Sequence, residues 1–240
     1  MPDPASRPPA RGLTPTAAAL RPPAAPRTPA RQVTSDPRGP VEGERPRPAA
    51  RGDKRDRILR AATRVFARRG FFSAQVADVA REAGVAAGTV YLYFRSKDDL
   101  LVSIFDRTMR EAIAEGRTAL DGVTDPIERL RRIARLHLER MGRDRDLAVV
   151  FQVELRQSTK FMAQLSATRL REYLGILRDV VAEGQAAGVF RAGINPTLAA
   201  KVLFGALDEM ATNWILSERR YDLAADADAV VDLFLHGVKA

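Results

Sequence analysis

Two tyrosines, a threonine, a glycine and a lysine crowd into ten residues, Gly88-Thr89-Val90-Tyr91-Leu92-Tyr93-Phe94-Arg95-Ser96-Lys97. Such groups donate hydrogen bonds and hold positive charge at fixed distances from a short helix. That is the chemistry of gripping phosphate oxygens and groove edges of a nucleic acid. It is poor chemistry for making or breaking bonds. The chain has no cysteine, so thiolate nucleophiles, disulfides and cysteine zinc sites are excluded. Its two histidines, His137 and His236, have no metal partner three or four residues away and read as structural. An enzyme would need a nucleophile, a base and an orienting group in one cleft, and no such set is visible. No metal and no cofactor are expected.

Charge agrees with this chemistry. The net charge of +9 is concentrated in the first two-fifths of the chain. Residues 1–52 carry nine arginines against four acids, residues 53–99 ten basic residues against six acids, and residues 100–240 balance at 20 and 20. The part that would face a polyanion is N-terminal. No apolar run approaches the ~18 residues of a membrane span. A cytoplasmic location is the expectation.

Three stretches follow. Residues 1–52 hold thirteen of the fifteen prolines and no apolar periodicity, and read as a disordered tail. Residues 53–99 carry helical spacing. Ile58, Ala61, Ala62, Val65 and Phe66 give a first helix ending at Gly70, and Ser73 can cap a second running to about Ala83. Gly84 is a stop signal, and a third helix spans about Ala87 to Phe94. Helix, glycine turn and short helix have the arithmetic of a helix-turn-helix. Residues 100–240 are helical throughout. Ser96 with Asp99, Asp125-Pro126 and Asn195-Pro196 mark helix starts. Leu170, Tyr173, Leu174, Leu177, Val180 and Val181 form one apolar stripe. Val202, Leu203, Ala206, Leu207, Met210 and Trp214 form another, along one side. The expected fold is all-α with about nine helices.

Residues 53–101 resemble the DNA-binding domain of the tetracycline-repressor (TetR) family. Gly70-Phe71, Val76-Ala77-Asp78-Val79-Ala80, Ala83-Gly84-Val85, Gly88 to Phe94 and Ser96-Lys97-Asp98-Asp99-Leu100 carry the likeness. It implies that Ser73, Ala87, Gly88, Thr89, Tyr91, Tyr93 and Lys97 face double-stranded DNA, while Val90 and Phe94 face the core. Tyr91 could equally pack through its ring. Ala74-Gln75 and Ala86-Ala87 stand where the family usually has Ser or Thr, a loss of ~1 kcal/mol per cap. The resemblance also implies a homodimer through the last two helices, reading a pseudo-palindrome.

Residues 150–235 more loosely resemble the TetR-type regulators of fatty-acid degradation. Gln157-Ser158-Thr159-Lys160, Gly188-Val189-Phe190-Arg191, Phe204 to Trp214 and Tyr221-Asp222-Leu223 carry that likeness. It implies a repressor released from its operator by a small-molecule effector, long-chain acyl-CoA. Candidate ligand residues are Phe105, Met109, Phe151, Phe161, Tyr173 and Trp214, with Met162 beside them. Arg107 and Arg135 are the cations, drawn from a stock that includes Arg110, Arg131 and Arg156. Taken singly, each aromatic reads first as core and each arginine as solvated surface. The alternative within the class is a regulator of drug efflux or another pathway, with Glu154, Asp208 or Glu209 meeting a cation. A sequence-blind architectural DNA binder is the remaining reading.

Overall fold

The computed structural model of the chain describes residues 48–157, 163, 168–219 and 221–238. These fold into nine α-helices: α1 (Pro48–Arg69), α2 (Val76–Ala83), α3 (Ala87–Tyr91), α4 (Lys97–Leu120), α5 (Pro126–Arg143), α6 (Arg145–Val149), α7 (Arg169–Ala186), α8 (Pro196–Leu216) and α9 (Ala227–Val238). After α6 the chain widens into a π-helical turn, Val150–Glu154, then a 3-10 turn, Leu155–Gln157. The fold is all-α, as its spacing predicts.

The local signals act through identifiable bonds. Gly84 takes a left-handed conformation (φ 64°), and the Val85 N–H returns to the Ala80 carbonyl at 3.0 Å, closing α2. Ser96 Oγ accepts from Asp99 N–H at 3.1 Å, and the Asp99 carboxylate accepts from Arg95 N–H at 2.8 Å. Asp125 accepts from the N–H groups of Ile127 and Glu128, and Asn195 from those of Thr197 and Leu198.

Four expectations need correction. α1 begins at Pro48, inside the stretch read as tail. The N-cap of α2 is Gln75, whose N–H donates to Asp78, so Ser73 sits exposed on the preceding turn and caps nothing. α3 ends at Tyr91 because the N–H groups of Tyr93 and Phe94 both turn back to the Val90 carbonyl, which swings Phe94 into the core. Val202 and Ala206 do not share the buried side of α8. Leu203, Leu207, Ala211 and Trp214 are buried there, while Val202 and Ala206 face out.

The buried residues form one continuous core. Ile58, Leu59, Ala62 and Phe66 of α1 bury with Val79, Val90, Phe94, Leu100, Leu101 and Ile104. α7 lies along α8 and crosses α4 and α5, and α5 carries α9. α1 packs on α2, α4, α6 and the π turn.

Two glycines of α7 give opposite expectations. A Cβ at Gly184 would enter the ring of Phe190, which folds back over the helix end, whereas one at Gly175 would meet nothing within 4 Å. Gly175→Ala should raise unfolding free energy by about 0.5–1 kcal/mol. Gly184→Ala should lower it by about 1–3 kcal/mol through overpacking. Urea unfolding of both variants checks the pair.

Candidate nucleic-acid interface and internal cavity

α2 and α3 pack together through the Gly84 turn, and α3 presents one side outward. Ala87, Gly88, Tyr91 and Leu92 are exposed, Thr89 and Tyr93 half-buried, and Val90 and Phe94 buried beneath. Tyr91 is 56% exposed, so its ring does not serve as core. Phe72 and Ser73 are exposed on the turn before α2. Arg55 of α1 lies over the Phe94 ring at 5.1 Å.

Lys97 does more than present a charge. Its ammonium donates to the carbonyls of Ala74 (2.8 Å) and Phe72 (3.0 Å) and lies 4.7 Å from the centre of the Phe71 ring. The first turn of α4 thereby holds the turn ahead of α2.

Farther along α4 a cavity opens, with about 960 Å³ of empty space, its mouth included. α4 supplies Phe105, Thr108, Met109 and Ala112 to its wall, and α5 supplies Ile133, His137, Arg140 and Met141. Phe151, Gln152, Leu155 and Arg156 of the two irregular turns face it, with Leu170 and Tyr173 of α7 and Phe204 and Asp208 of α8. Phe105 and Phe151 stack at 5.3 Å.

The polar groups of the wall are largely paired. Asp208 accepts from Gln152 Nε2 at 2.8 Å and from Arg156, and Thr212 donates to Gln152 Oε1 at 3.2 Å. Arg140 binds Glu115 and reaches Glu111 at 3.5 Å. His137 Nδ1 and the Tyr173 hydroxyl lie 3.1 Å apart, and among the described residues His137 Nε2 has no partner. Burial, helped by Arg140 and opposed by Asp208, lowers the His137 pKa to about 4. Burial also raises that of the Tyr173 phenol, so the pair is neutral near pH 7.

Of the residues expected around a ligand, Phe105, Met109, Phe151 and Tyr173 lie on this wall, and Arg107, Arg135 and Trp214 do not. Arg107 turns toward Asp56 of α1 (3.5 Å), and Arg135 binds Asp228 of α9 (3.0 Å). Trp214 donates to the Tyr221 carbonyl at 3.0 Å under the guanidinium of Arg145. Each is drawn away by a better partner. Phe161 and Met162 lie outside the described residues. His137 belongs to the wall, contrary to its reading as merely structural. Arg140, Gln152 and Phe204 were missed. The spacing 133, 136, 137, 140, 141 on α5 was the available signal, a helix face continued by polar residues.

A helix-turn-helix unit joined to a helical unit with an internal cavity defines a class of bacterial regulator, and comparison agrees. Residues 58–104 match the model of bacterial regulatory proteins of the TetR family, and residues 105–237 match that of the YsiA-like protein C-terminal region. The chain belongs to the TetR family; it is a transcription regulator rather than an enzyme. It is 35% identical over 181 residues to the fatty acid metabolism regulator protein of Bacillus subtilis strain 168, covering 75% of this chain and 93% of that one. Two solved structures are similar. The fatty acid degradation regulator FadR of Bacillus halodurans is 38% identical with a TM-score of 0.74, over 77% of this chain and 95% of that one. FadR of Bacillus subtilis in complex with stearoyl-CoA is 35% identical with a TM-score of 0.72, over 76% and 98%.

The neutral burial of His137 makes a pH prediction. Its folded pKa of about 4 lies below the ordinary 6.5. Between these values the unfolded chain takes up a proton that the folded chain does not, so stability falls as pH drops through that window. His137→Leu removes the group. The melting temperature of the variant minus that of the parent should become more positive from pH 7 to pH 4.5. Parallel curves would show that His137 titrates normally.

Proposed function

We propose that this protein is a homodimeric repressor whose operator is released by a long-chain acyl-CoA, and that it controls fatty-acid degradation. Residues 53–99 read the DNA; residues 100–240 hold the effector and the dimer contact. The supporting observation is the cavity. Its wall is mostly apolar, as an acyl chain needs. Arg140 and Arg156 are the wall's cations for the phosphates or thioester end. The similar FadR of Bacillus subtilis has been solved with stearoyl-CoA. A cationic drug fits less well. Asp208 is already engaged by Arg156 and Gln152, Glu154 faces away from the cavity, and Glu209 is bonded to Asn213.

Leu198 and Val202 on α8 and Leu233 on α9 are exposed and apolar, next to the small Gly205 and Ala206. Burying that face against a second copy explains why such residues stand outside. Two copies place two recognition helices on one side of a duplex. No described helix is long and apolar enough to cross a membrane, which fits a protein working on DNA in the cytoplasm.

The experiment is selection of duplexes from a random pool, then a binding titration with stearoyl-CoA, stearate or free CoA. Stearoyl-CoA alone should weaken binding at least tenfold and raise the melting temperature. Release by none of the three sinks the effector assignment. Binding without sequence preference and with a steep salt slope supports the architectural reading instead. Thr89→Ala and Tyr91→Ala should each weaken operator binding about tenfold, the loss of one hydrogen bond to a charged group, and leave effector affinity unchanged.

A further inference from the structure

The π turn faces two ways. Phe151 and Gln152, and then Leu155 and Arg156, line the cavity. Glu154 lies among them in sequence but points to the DNA-reading unit. It is only 5% exposed, and its Oε2 accepts from the Phe71 N–H at 2.6 Å across 83 residues of sequence. Gln157 Nε2 reaches the same oxygen at 3.4 Å. Gly70, in a left-handed conformation (φ 77°), brings the chain up to this carboxylate; a Cβ there would stand 3.8 Å from it.

Phe71 is the point at which several contacts meet. Its ring packs edge-on against Phe66 at 5.3 Å and under Lys97 at 4.7 Å. The same Lys97 holds the carbonyls of Phe72 and Ala74, and Gln75 then caps α2. A pull on Phe71 therefore moves the base of the α2–α3 pair. A π turn is a weak point in a helix, with one extra residue per hydrogen-bonded ring and poorer geometry, and it is suited to rearrange.

Resting on the repressor reading, we infer that Glu154 is the positioning residue that couples the cavity to the DNA-reading unit. Its bond to Phe71 holds α2 and α3 in the DNA-competent position. A molecule filling the cavity displaces Phe151 and Gln152 and carries Glu154 off the Phe71 N–H. Coupling of this kind needs a two-state element that both sites bias, and the π turn touches both.

The test compares Glu154→Ala, Glu154→Gln and the parent as full-length protein on the selected duplex. The glutamine variant keeps an oxygen acceptor; the alanine variant does not. Without effector, Glu154→Ala should bind at least tenfold more weakly, and stearoyl-CoA should weaken it by no more than about threefold further. Glu154→Gln should stay within about threefold of the parent in both measurements. Leu177→Ala, a buried change on α7, controls for lost stability by lowering the melting temperature without changing operator affinity. Parent-like DNA binding by Glu154→Ala overturns the inference whatever stearoyl-CoA does. If stearoyl-CoA leaves the parent unaffected, the effector reading falls, while the effector-free comparison still decides the role of Glu154. Should Glu154→Ala fail to fold, hydrogen exchange of the parent decides. The Phe71 amide should exchange at least fivefold faster with stearoyl-CoA bound than without it, and equal rates overturn the inference.

Discussion

The two working parts of this molecule share a helix. α4 has 24 residues and is about 36 Å long. Its first turn carries Lys97, which grips the carbonyls ahead of α2. One to two turns on, Leu101, Ile104 and Phe105 close the core beneath the recognition helix. Beyond that, Thr108, Met109, Ala112 and Glu115 form one side of the cavity. A continuous α-helix bends little without proline or a bulge. A displacement of its cavity end is therefore carried to the clamp rather than absorbed between. The boundary expected near residue 100 falls inside this helix.

Pairing of charge shapes the cavity as much as its apolar lining does. Arg140 is tied to Glu115 and Glu111, Arg156 to Asp208, and Asp208 also to Gln152. Such pairs cost desolvation, and in return they fix positions. A ligand with an anionic end must either join these pairs or displace one carboxylate from its arginine. A neutral acyl chain disturbs none of them. The arginine pairs outside the cavity do other work. Arg131 with Asp232 and Arg135 with Asp228 tie α5 to α9, and Arg129 with Glu183 ties α5 to α7. Being exposed, each is worth little alone, about 0–1 kcal/mol.

What was legible in the sequence follows from the range of the force involved. The helices and most of their ends were readable because spacing and capping are local. Ile58 to Phe66, Asp125-Pro126 and Asn195-Pro196 need only their neighbours. The reading failed where a distant partner decides. Arg107 and Arg135 were equal candidates for a ligand until Asp56 and Asp228, far away in sequence, claimed them. Trp214 is taken by the Tyr221 carbonyl, seven residues on, a main-chain partner that spacing does not reveal. A lone histidine suggests no metal, yet α5 rotates His137 into the cavity against Tyr173. Glu154 gave no local sign at all, for its role depends on a main-chain N–H 83 residues away. Main-chain partners carry no side-chain signature, so sequence is blind to them.

Magnitudes decide whether one hydrogen bond can matter to a switch. Coupling between two sites in regulatory proteins is typically about 1–3 kcal/mol, a 5–150-fold change in affinity. A buried hydrogen bond to a charged group contributes about 1.5–3 kcal/mol. The two ranges overlap, so breaking the Glu154–Phe71 bond has the energy scale of a full response. A much stronger contact, such as a wide apolar seam, would hold the DNA-reading unit whether or not the cavity were filled. A weaker one, such as an exposed ion pair, would be lost to thermal motion and salt. A single carboxylate, buried to 5% exposure and bonded to one main-chain N–H, lies between those limits. It stands on a turn that also lines the cavity and packs on α1.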